Sequence, residues 1–154
     1  MKRRTQSLKK LVKWAKSEGF KKVNTNSKGV SVIKWIPNTL NLPYEINIEG
    51  RHSVEMKVYY LLHELGHHQI RKDWLEFEKR FPLVAKAESE YLNGNINLKR
   101  RLSYKVSCME EEFHAWDEGK LLAESLKIRI NHQNYDKLRF KCLMSYIRYY
   151  GKNF

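Results

Sequence analysis

The chain predicts a mostly helical α+β fold with a small sheet, and three observations carry that prediction. Before residue 50, two segments alternate apolar and polar residues and are rich in β-branched side chains, the pattern of half-buried strands. From Ser53 onward the apolar residues recur at helical spacing instead. With 154 residues, 42% hydrophobic and 12% aromatic, the chain is long and apolar enough for the modest core of one folded domain.

The elements follow in order. Thr5 to Ser17 reads as an amphipathic helix, with Leu8, Leu11, Val12 and Ala15 on one face and cations on the other. A short strand is expected around Phe20 to Asn24, followed by strands at Val30 to Ile36 and Tyr44 to Ile48. Pro37-Asn38-Thr39-Leu40-Asn41-Leu42-Pro43 supplies turn chemistry between the last two. The sheet therefore has about three strands.

A helix is predicted from Ser53 to about Ile70. Ser53 is its N-cap and Glu55 places a negative charge in the first turn. Its stripe is Met56, Tyr59, Tyr60, His63, His67 and Ile70. Gly66 interrupts it, costing about 1 kcal/mol relative to Ala. That cost makes sense where another backbone or a substrate passes close by. From Trp74 the chain is again helical, interrupted at Pro82 and ended by Asn93-Gly94-Asn95. Ser107 and Glu110 have capping-box spacing, which predicts that the next helix opens at Ser107.

His63-Glu64-Leu65-Gly66-His67 carries the chemistry. Histidines four residues apart leave one face of a helix and can hold one metal ion. Glu64, beside the first, is placed to take a proton from water activated by that ion, as in HExxH zinc hydrolases. Catalytic zinc usually takes three protein ligands, and the third is expected on another helix. Glu112, Ala115, Gly119, Leu122 and Leu126 form one small or apolar stripe, so a carboxylate at 112 faces inward and needs a partner. Glu111 lies on a mixed face. Glu112 is the preferred third ligand, with Glu111 and His114 as alternatives.

With these residues the chain resembles the gluzincins, HExxH metallopeptidases whose third ligand is a glutamate on a later helix. His63-Glu64-Leu65-Gly66-His67 followed by Glu112-Phe113-His114-Ala115 is similar to the compact ImmA/IrrE-type members. The resemblance covers two short segments. It implies a minimal zincin fold over residues 1–154, with the sheet beside the HExxH helix and zinc held by His63, His67 and Glu112. The stretch between His67 and Glu112 is longer than compact members show, which implies a helical insertion at about 72–106, serving as a lid or a partner surface. An edge strand above the zinc, Tyr44 to Ile48 or Val30 to Trp35, would bind substrate backbone by strand addition. SprT-like zinc proteases are a second resemblance, implying a third histidine ligand at His114 or His132.

The activity so implied is hydrolysis of peptide bonds in a protein substrate, with Glu64 as general base. Tyr91, Tyr104, His114 and His132 are candidate donors to the developing oxyanion. His68 points about 100° from His67 and is read as a supporting or surface residue. Asp117 is read as either orienting a histidine or solvated.

Net charge is +13 and concentrated. The Lys2-Arg3-Arg4 start, the basic face of the first helix and Lys99-Arg100-Arg101 suit nucleic acid, as do the aromatics interleaved with the basic C-terminal segment. The other reading of this charge is a cationic protein with its aromatics in the core. A nucleic-acid-binding or protein-interaction regulator on a zincin scaffold, with a structural or degenerate metal site, is thus the alternative function. Cys108 and Cys142 are expected reduced, in a cytoplasmic protein. No apolar run reaches the ~20 residues that span a bilayer, and no secretory signal follows the basic start.

Overall fold

The helix bearing both histidines lies at the centre of the structure, a computed structural model that describes residues 2–152. In chain order the elements are α1 (Lys2–Ser17), β1 (Lys22–Ser27), β2 (Val32–Trp35), β3 (Pro43–Glu49), α2 (Val54–Arg71), α3 (Trp74–Arg80), α4 (Pro82–Leu92), α5 (Leu102–Ser125) and α6 (His132–Gly151). A single 3-10 turn spans Leu98–Arg100. The fold is α+β, six helices and one three-stranded mixed sheet among the described residues.

α2 starts where its cap requires. The Ser53 hydroxyl accepts from the Met56 backbone N–H, and Glu55 occupies the first turn. Val58, Leu61, Leu62 and Leu65 are nearly or fully buried, each stabilising the fold by about 1.5–3 kcal/mol relative to exposure. α5 lies against α2 at very short range, and two glycines permit this. A Cβ on Gly66 would overlap the Ala115 carbonyl of α5, while one on Gly119 would stand 2.8 Å from the Leu62 carbonyl oxygen. The close approach predicted from Gly66 is thus present, and it is reciprocal.

β3 is the central strand. It pairs in parallel with β1 (Val23 opposite Ile46) and antiparallel with β2 (Ile33 opposite Ile46). Both edges of Tyr44 to Ile48 are therefore occupied, so that segment cannot accept a further strand; β2 is an edge strand of the sheet. Ile46 and Ile48 drive the sheet into a core shared with Leu11, Phe20, Leu62, Trp116 and Tyr135.

Residues 72–106, the stretch expected as an insertion, form α3, α4, the 3-10 turn and the first turn of α5. Phe77, Phe81, Val84 and Ala85 build a second core with Ile70 and Ala115. The expected helix start at Ser107 is corrected. α5 begins five residues earlier, at Leu102, with Arg101 at the cap and no side-chain cap bond. No Gly or Pro interrupts Leu102 to Ser107, and Tyr104 and Cys108 pack against the second core, so the helix continues back through them. Glu110 is left exposed on its surface. No described helix is long and apolar enough to cross a membrane.

Candidate metal centre

α2 and α5 bring three expected ligands together. One ligand atom from each of His63, His67 and Glu112 lies within 4.8 Å of the others. His63 Nε2 is 3.2 Å from Glu112 Oε2, and His67 Nε2 is 3.4 Å from Glu112 Oε1. Glu112 Oε2 is nonetheless buried without a directed hydrogen bond. A buried carboxylate oxygen without a directed partner, beside two imidazole nitrogens, suits a shared cation. Two imidazoles and one carboxylate are also a donor set zinc accepts, with room for a fourth ligand. On both grounds the residues fit a zinc ion.

The site is strongly polarised. Burial opposes ionisation of Glu112, but His67 and His63 hold its carboxyl well below the usual carboxylate range. Burial likewise disfavours a charged His67, but Glu112 and Glu111 outweigh it and raise its pKa well above the ordinary imidazole value. Glu64, next to His63 on α2, is 7% exposed. Burial lifts its pKa above the usual range, partly offset by His63, His67 and the Ile33 backbone N–H.

Glu111 departs from the sequence reading. The helical pattern of α5 puts it on a mixed face, yet it is 3% exposed and more deeply buried than Glu112. Its Oε1 lies 3.1 Å from His67 Nδ1, so with a proton on Nδ1 that nitrogen donates to the carboxylate, which orients the ring with Nε2 toward Glu112. Arg71 explains how the charge is tolerated. Its Nε and Nη2 donate to Glu111 at 2.7 and 2.8 Å, and Nη1 donates to Glu88 of α4 at 2.7 Å. Burial pushes Glu111 up, but the His67 hydrogen bond and Arg71 pull its carboxyl down to about 2. The guanidinium also lies over the Phe77 ring, 4.8 Å from its centroid. Arg71 extends the His63, His67 face by one more turn, and that i, i+4, i+8 spacing was the available signal.

His63 is held differently. Its ring stacks on Trp116 of α5, with centroids 4.3 Å apart and planes 15° apart, and its Nδ1 is buried without a hydrogen-bond partner among the described residues. One histidine is therefore oriented by a carboxylate and the other by an aromatic face.

The three candidate ligands and Glu64 open onto a cleft of about 270 Å³ between β2, α2, α5 and α6. Trp35, Glu88, Tyr104, Tyr146 and Tyr150 are among its walls. A second lobe, about 250 Å³, continues past Glu64 toward His52, Tyr60 and Cys142. Of the expected oxyanion donors, only Tyr104 lines the cleft. Tyr91 is half exposed with the Lys99 ammonium 4.1 Å from its ring centroid, His114 packs on Phe81, and His132 is exposed at the start of α6. Tyr146 was missed. It faces Glu112, and burial, then Glu112 and Glu64, push its phenol far up, so it stays a donor. Cys142, Tyr146 and Tyr150 share one face of α6, a four-residue spacing visible in the sequence.

The remaining expectations fall away from the cluster. Asp117 pairs with Arg139 at 2.8 Å. His68 is buried and bonded to Glu18 at 2.9 Å, between the rings of Trp14 and Phe20. Cys108 and Cys142 are free and partly buried, and burial raises the Cys108 thiol to about 11, which keeps it protonated and unreactive. No family model matches the chain, and neither a curated protein nor a solved structure matches it.

Proposed function

We propose that the chain is a zinc-dependent metallopeptidase of the gluzincin type, similar to ImmA/IrrE proteins, acting on a protein or peptide substrate. His63, His67 and Glu112 hold the ion and Glu64 is the general base. One observation carries the reading: three ligand atoms from two helices converge within 4.8 Å while a further carboxylate, that of Glu64, is buried beside them and lines the same cleft. A glutamate occupying the third position supports the gluzincin arrangement over the SprT-like one, because His114 faces Phe81 instead.

His63, His67 and Glu112 would hold the zinc, which would supply a water of pKa near ~7 and a Lewis acid for the carbonyl. The rest is done by the chain. Substrate backbone adds along the edge strand β2, gaining main-chain hydrogen bonds without a side-chain code. Glu64, its pKa raised by burial, takes the proton of the attacking water and returns it to the leaving amine. Tyr146 and Tyr104 present protonated phenols to the developing oxyanion. Trp35 and Ile33 exclude bulk water from one wall.

Metal analysis beside a cleavage assay tests this. The wild type is expected to carry close to one zinc per chain, with occupancy abolished in His63→Ala and Glu112→Ala. Glu64→Gln should keep the metal and cleave at least a hundredfold more slowly, the range set by a removed general base. Full activity in Glu64→Gln, or full occupancy in Glu112→Ala, would refute the assigned roles.

A further inference from the structure

The fold gathers cations that the sequence keeps far apart. A hollow of about 380 Å³ lies between the first half of α1 and the connection from α5 to α6. Arg3, Gln6, Ser7 and Lys10 line one side; Lys127 and Arg129 line the other. Arg3, Ser7 and Lys10 recur at i, i+4 and i+7, one face of α1. No acidic side chain lines the hollow. Lys10 Nζ donates to the Leu126 carbonyl at 2.5 Å, tying the two walls together. Arg4, by contrast, turns out of this hollow to pair with Glu55 at 2.9 Å.

Two local features place positive charge where the backbone does not favour it. Lys127 closes α5 with φ 52°, its N–H donating to the Glu124 carbonyl and that of Ile128 to Ala123. A left-handed residue at a helix end is ordinarily glycine, since a side chain there meets steric resistance. A lysine stands there nonetheless. The first turn of α1 carries Lys2, Arg3 and Arg4 and no acid, the unfavourable sign for a helix N-terminus.

We propose that this hollow is a binding site for the phosphate backbone of duplex nucleic acid. Four cations converging without acids provide sequence-independent affinity for a polyanion. The absence of aromatic residues among the lining side chains favours backbone contact over stacking on unpaired bases. A membrane surface fits less well. Leu11 and Ala15 of α1 are fully buried, and Leu8 and Val12 pack on the core, so α1 has no apolar face left to enter a bilayer. The site is separate from the metal centre and does not depend on the peptidase reading.

The test is fluorescence anisotropy with a labelled random-sequence DNA duplex, titrated with the full chain at several salt concentrations. Arg3→Gln, Lys127→Gly and Arg129→Gln change exposed residues, and glycine suits the backbone at 127. The triple variant is expected to fold normally by circular dichroism and to bind at least tenfold more weakly. The slope of log K against log salt should shrink by about 2.7, since each phosphate that is no longer neutralised removes roughly 0.9. Binding should be unchanged in Glu64→Gln and after zinc chelation, so the outcome is independent of peptidase activity. Three results would overturn the proposal: no salt-dependent binding by the wild type, an equal weakening in Lys99→Gln/Arg100→Gln, or tighter binding to phosphatidylserine vesicles than to the duplex with the same sensitivity to the triple variant.

Discussion

Replacing Glu111 by glutamine keeps the volume of the side chain but changes what it can accept. The carboxylate receives one hydrogen bond from His67 and two from Arg71; an amide has one acceptor oxygen and an NH2 group that meets another donor. Groups that orient a ligand histidine are typically worth 10–100-fold in metal affinity. Glu111→Gln is therefore expected to weaken zinc binding by roughly that factor, read by competition with a chromophoric chelator, while Glu112→Gln abolishes the site altogether. Equal zinc affinity in Glu111→Gln and the wild type would show that Arg71 and packing alone hold His67. This residue also marks a limit of sequence reading. His63, Glu64 and His67 are neighbours in the chain and legible from spacing. Glu112 is legible because an inward stripe runs through it. Glu111 is not, because the cation that makes its burial tolerable is 40 residues away, and a helical wheel of α5 contains no sign of it.

At the scale of elements, the α2–α5 contact sets the geometry of the candidate ligands, and its glycines decide how close the helices come. Alanine at 66 would gain about 1 kcal/mol in helix propensity. Its Cβ would also overlap the Ala115 carbonyl, and backbone cannot move aside as a flexible side chain can. Overpacking of this kind costs about 1–3 kcal/mol, so the steric term should win. Gly66→Ala is expected to be net destabilising in urea denaturation and to lower zinc occupancy, since α5 carries Glu112. A neutral or stabilising result would mean that the helices separate freely. The Gly66 contact and the three strands are readable from local pattern. The start of α5 is not: a serine and a glutamate at capping distance are outweighed by Tyr104 and Cys108 packing beneath the preceding turn. The stretch from Trp74 to Leu92 is likewise readable as helix, but its second core depends on Phe77 and Phe81 meeting Ile70 and Ala115 across the fold.

For the whole molecule, the metal would join the two principal helices through one point, so its removal should be felt in global stability. His63 and His67 come from α2 and Glu112 from α5, and without a cation the cluster leaves Glu112 Oε2 buried and undirected. An ion that binds the folded chain and not the unfolded one stabilises by about 2.7 kcal/mol at a hundredfold excess over Kd. For a chain of this size that corresponds to roughly 5–10 °C in Tm. Thermal unfolding of the zinc-loaded protein is therefore expected to drop by this amount on chelation and to recover when zinc is restored. Glu112→Ala should show a much smaller drop. The Arg71 network separates this effect from general loosening: Arg71→Met strands the buried carboxylates of Glu111 and Glu88, at about 3–5 kcal/mol for a broken buried pair, and lowers Tm with or without zinc. A Tm insensitive to chelation in a sample shown to carry zinc would place that ion outside the α2–α5 seam.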